Sequence, residues 1–133
     1  MIPECRLHRQ GDGDALEADL ARLARQFLAA LTRPQVLQLR RLVVADAFPG
    51  LGARWYEQGF ERVRATLAAT VQRLTGQGLL RCDEPLLAAG HVAGLLLWIP
   101  VNKAMFHGSL QHTEAGLDHC ATAGVRVFLA AHR

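Results

Sequence analysis

Serine is nearly missing from this chain: Ser109 is the only one among 133 residues. No GxSxG turn is present to expose a nucleophile on a strained elbow, which excludes that kind of hydrolase. Cysteine is scarce as well. Cys5, Cys82 and Cys120 lie far apart and form no CxxC pair, which excludes a disulfide scaffold and a zinc ribbon. His107, His112, His119 and Cys120 fall within fourteen residues, but they straddle an expected loop and fit no zinc spacing. His119 and Cys120 are neighbours, and neighbours on a helix point about 100° apart, so they make no nucleophile–base pair. Gly11-Asp12-Gly13 lacks the lysine and the preceding strand of a phosphate loop. Nearly all carboxylates sit in solvated stripes with arginines, so no general acid–base pair stands out. The N-terminus has no apolar run after a basic patch, hence no secretory signal, and the cytoplasm is the expected compartment. These absences predict no enzyme, no metal and no cofactor.

What is present is a chain that can bury a core: 50% of residues are apolar and 20% are charged. The formal charge of +3 is mild. Its arginines are scattered among acids and apolar residues, whereas a nucleic-acid binder of this size gathers them on one face. No alternating strand, repeat or low-complexity tract appears. Residues 1–13 read as a flexible leader, and residues 14–133 as one all-α domain of five helices. Asp14 is expected to cap the first, whose Leu16, Leu20, Leu23, Phe27 and Leu31 recur on one face. Pro34 starts the second, with Val36, Leu39, Leu42 and Val43 inward and an end near Ala47. The third runs from about Leu51 to Thr75, with Gly59 marking a close backbone approach or a bend. Asp83 caps a fourth that reaches about His107 through Pro100, where a kink is expected. Gly108 to His112 is a loop, and Thr113 caps a fifth helix that ends near Ala131.

Charge is distributed unevenly. Residues 85–132 hold only Lys103, Glu114, Asp118 and Arg126. From Pro85 to Asn102 no formal charge occurs at all, a length at the lower limit for a membrane span. No basic flank orients it, so a helix buried on several sides is expected instead of a span. A surface helix of a monomer needs a polar face, and the last two helices lack one. Gly90, Gly94, Leu97 and Val101 share one face of the fourth helix, and Gly116, Cys120 and Gly124 one face of the fifth. Small residues at this spacing let helices approach closely. They predict a homodimer in which two helices from each copy form a four-helix bundle. The alternative is that they only let the two helices pack on their own core.

The opposite face of the fourth helix carries His91, Leu95, Trp98 and Asn102. It is expected to look inward at Trp55, Tyr56 and Phe60, giving an apolar pocket with a few polar groups. The alternative there is solid core, with His91 bonded to backbone. Arg40-Arg41 and Tyr56-Glu57 read as surface or helix-contact residues.

The segment from Leu37 to Val63, LQLRRLVVADAFPGLGARWYEQGFERV, resembles the C-terminal domain of TetR/AcrR-type transcriptional regulators, with its closest likeness to the AefR-like group. The shared pattern is a Leu-Arg-Arg-Leu helix, an acidic residue, a Phe-Pro turn and an aromatic-rich helix. Leu79 to Ala89 resembles the family's approach to its penultimate helix. The likeness covers roughly residues 14–107. It implies a cytoplasmic homodimer whose last two helices pair and whose helical domain binds a small effector, here apolar. By position, it makes Gly90, Gly94, Leu97, Val101, Gly116, Cys120 and Gly124 dimer contacts. Trp55, Tyr56, His91, Trp98 and Asn102 become effector-pocket candidates. Thirteen residues before the first matched helix are too few for a helix-turn-helix, so no direct operator binding is expected of these residues. The other reading is a helical interaction module without a ligand, pairing for example with full-length regulators.

Overall fold

The structure, a computed structural model, describes the backbone of residues 2–46, 48–107 and 112–133, and side chains from Gly13 onward within them. Its order is α1 (Ile2–Leu31), α2 (Pro34–Val44), α3, α4 (Pro85–His107) and α5 (Glu114–His132). Helix α3 is composite: Leu51–Trp55 and Glu61–Gly76 are α-helical and Tyr56–Phe60 between them is a π turn. No strand occurs among the described residues. Most of the expected loop, Gly108 to Gln111 with Ser109, lies outside them, as does Ala47.

Local chemistry accounts for most helix ends. Pro34 occupies the first turn of α2, where a missing N–H costs nothing. The Thr113 hydroxyl accepts from the Gly116 amide at 3.0 Å, an N-cap for α5. Asp46 (φ 50°) and Gly50 (φ 76°) take left-handed backbone between α2 and α3. The Glu84 carbonyl accepts the first bond of α4 from Ala88 at 3.0 Å, so Glu84, not Asp83, is the residue at the cap.

Two expectations about the helices need correction. Helix α1 does not start at Asp14 but runs unbroken from Ile2 through Gly11-Asp12-Gly13 to Leu31. Glycine inside a helix costs about 1 kcal/mol relative to alanine, a penalty and not a stop. Helix α2 ends at Val44, and its inward residue is Leu37, fully buried, while Leu39 and Leu42 are exposed. Gly59 meets nothing within 4 Å where a Cβ would stand; its signal is the π turn around it. Helix α4 continues through Pro100, which leaves the Leu96 carbonyl without its usual helical donor.

Helices α1 and α5 run antiparallel. Arg25 pairs with Asp118 at 3.0 Å, and Glu17 with Arg126 at 3.3 Å and Arg133 at 3.4 Å. The core between them joins Leu16, Ala24 and Leu28 to Leu117, Val125 and Phe128, with Val71, Leu74 and Leu96 from α3 and α4. The connector after α3 passes beneath the end of α5: the Arg81 amide donates to the His132 carbonyl at 2.6 Å, and Leu80 is buried. Helix α4 packs on α3, α5, α2 and α1.

Gly124 lies on the inner side of α5. A Cβ there would stand 2.8 Å from Leu96 Cδ2 and 3.6 Å from the Leu95 carbonyl oxygen. The small residue brings α5 onto α4 of the same chain. Gly124→Val should therefore destabilise by about 1–3 kcal/mol in chemical denaturation. Gly76→Ala, in open space, should be neutral or stabilise by up to about 1 kcal/mol.

Candidate ligand cavity and outward apolar face

Helix α4 is apolar around its whole circumference, and each of its faces meets a different environment. One faces α2 and the π turn of α3. There a cavity of about 460 Å³ is lined by residues including Arg40, Val44, Phe60, Leu97, Val101 and Met105. The Tyr56 and Phe60 rings stack at 5.4 Å within the π turn, an irregularity often found at functional sites. Arg41 donates to the Ala104 carbonyl at 2.9 Å, tying α2 across to the last turns of α4. Arg40, one residue earlier, lies over the Trp55 ring at 5.6 Å. Burial pushes the Arg40 guanidinium below its ordinary pKa.

A second, smaller cavity of about 270 Å³ lies among α1, α3, α4 and α5, walled by Leu23, Phe27, Leu67, Val92 and Phe128 among others. Its polar wall groups are Thr66 and Thr70, whose hydroxyls donate to carbonyls one turn back at 3.0 and 3.3 Å. It offers an apolar lining and little else.

The remaining face of α4, with the adjoining face of α5, is bare. Trp98 is 72% exposed and Ile99 65%, with Leu95, Leu87 and Val127 also exposed. His91, Leu95, Trp98, Ile99 and Val127 border one groove between the two helices. Helix α4 is long and apolar enough to cross a membrane, though a helix packed on its own domain passes the same test. Among the described residues no three of His, Cys, Asp or Glu gather closely enough to hold a metal ion.

The expected sites are partly brought together and partly exchanged. Phe60, Trp98 and Asn102 do share the larger cavity, and Trp55 braces it through Arg40. Tyr56 stacks on Phe60 and is itself exposed. His91 and Leu95 do not look inward; they border the outer groove. Conversely Leu97 and Val101, expected to meet a second copy, line the cavity on the α2 side with Gly90 and Gly94, the two glycines also reaching the groove. Gly116 sits in the capped first turn of α5, and Cys120 packs on the core. The faces are exchanged because α4 carries leucine and alanine on every side, so apolarity alone does not say which side is covered. Arg40, which the sequence suggests is a surface or helix-contact residue, also lines the cavity. It lies three residues after buried Leu37, a spacing that places the two on one side of α2.

The chain is an all-α domain of the TetR class of transcriptional regulators, as a family model and a solved structure show. More particularly, the chain belongs to the family of AefR-like transcriptional repressor C-terminal domains, whose model matches residues 18–133. It is similar in structure to a protein of Mesorhizobium loti MAFF303099 assigned to the TetR family of transcriptional regulators. The identity is 47% and the TM-score 0.82, over 87% of this chain and 58% of that one. The chain thus spans less than two thirds of that protein's length. No curated protein matches it.

Removing the α2–α4 tie tests how the larger cavity is held. Arg41→Met should destabilise the chain by about 1.5–3 kcal/mol in urea, the worth of one hydrogen bond from a charged donor.

Proposed function

We propose that these helices are the sensing and pairing part of a TetR-type transcriptional regulator, acting in the cytoplasm and catalysing no reaction. The observation that carries this is the bare face of α4 and α5. Leu87, Leu95, Trp98, Ile99 and Val127 are exposed there on two helices that hold four charged side chains in all. A contiguous apolar surface of this kind needs a cover, and a second copy supplies a matching one by two-fold symmetry. Pairing of this sort is typical of the family. The dimer contacts become the His91, Leu95, Trp98, Ile99 and Val127 side of the helices, in place of the Leu97 and Val101 side.

Effector binding is the second half of the reading. The larger cavity falls within the usual range for small-molecule sites, about 300–1,000 Å³, with an apolar wall and few polar groups. No nucleic-acid surface is assigned to these helices. Arg22, Arg25, Arg64, Arg126 and Arg133 are each drawn into an ion pair with a carboxylate instead of forming a basic face.

In light scattering after size exclusion, the protein should run at twice its 14.6 kDa chain mass. The double variant Ile99→Glu, Val127→Glu should run as a monomer with unchanged helix content. A monomeric parent, or a double variant that still pairs, would overturn the dimer. Saturable thermal stabilisation by hydrophobic small molecules supports the sensor; none across a broad panel favours a ligand-free interaction module.

A further inference from the structure

We infer that the cavity between α2, the π turn of α3 and α4 takes an amphipathic anion, a medium-chain carboxylate, with its head held by Arg40. The inference rests on the reading of this cavity as an effector site and names the ligand's chemistry.

The argument starts from an imbalance. Arg40 Nε is buried and has no hydrogen-bond partner. Among the described residues no carboxylate comes within 4 Å of its guanidinium, and Arg40 is the arginine that lines this cavity. Its neighbour Arg41 is committed to the Ala104 carbonyl. The Trp55 ring lies against the Arg40 guanidinium and helps to hold it in the wall. The guanidinium is half-buried, and a buried Nε–H left unpaired is costly; an anion that accepts from it recovers that cost.

The rest of the wall sets the tail. Val44, Phe60, Leu97, Val101 and Met105 give the cavity an apolar surface. Asn102, its other polar side chain, already donates its amide to the Trp98 carbonyl at 2.7 Å. One cationic donor in an otherwise greasy cavity matches one charged head on a hydrocarbon chain. The smaller cavity has no comparable group, since both of its threonine hydroxyls donate to backbone.

The test compares decanoate with 1-decanol at neutral pH, by calorimetry and thermal shift on the intact protein. Decanoate should bind at least about tenfold more tightly than the alcohol, as expected for a charge-assisted bond. Arg40→Met should erase that preference while leaving the alcohol's affinity nearly unchanged. Arg40→Lys, which keeps the charge, should retain part of it and guards against a folding defect in the methionine variant. Equal binding of acid and alcohol would overturn the anion inference and leave the effector reading standing. A preference that survives Arg40→Met would overturn the role of Arg40. Binding of neither probe would remove both the inference and the effector reading of this cavity.

Discussion

Helix α4 governs this structure because it has no side that prefers water. Between Pro85 and Asn102 it carries no formal charge, so every face gains by being covered, at about 25 cal/mol for each Å² of apolar surface. Most of its surroundings come from the chain itself: α3, α5, the α2 crossing and α1. One side is left open, and Trp98 and Ile99 stand out on it. The remaining helices can be understood by how they serve this one. Helix α1 backs α5 and holds it by ion pairs at Glu17 and Arg25. Helix α2 reaches across and fastens itself at the Ala104 carbonyl.

Small residues decide how tightly α4 is embraced, and they do so from within. Gly124 lets the Leu96 side chain and the Leu95 carbonyl come against α5, where any larger residue would force the pair apart. Gly94, by contrast, has open space where its Cβ would be. The helix is close-packed on α5 at Gly124, and the larger cavity lies on its α2 side. Packing density, not composition, separates scaffold from cavity in this domain.

That distinction also marks what could be read in the sequence. The five helices were legible because their breaks are chemically explicit: Pro34, Pro49-Gly50, Gly76-Gln77-Gly78 and Thr113. The shortage of charge in α4 and α5 was equally plain. The facing of α4 was not legible, because a helix with leucine and alanine all round has no amphipathic direction for spacing to reveal. Hence His91 and Leu95 were expected inward and Leu97 and Val101 outward, the reverse of their placement. Arg40 was hidden for the opposite reason. An arginine between leucines is expected to lie fully in solvent, and only the position of Trp55 and the buried Nε show that this one is half-buried in a cavity wall.

Trp98 borders both the larger cavity and the outer groove, so the proposed effector site and the proposed pairing face are two sides of one helix. A ligand changes an equilibrium only to the extent that it binds one arrangement better than another. Here the two arrangements would differ in how α4 sits against α2 and the π turn, the side on which the larger cavity lies. The close-packed α5 side would carry such a shift as a rigid pair, because Gly124 leaves no slack between the helices. In a regulator built this way, filling the cavity would bear directly on the geometry of the proposed dimer, with no longer chain of contacts required.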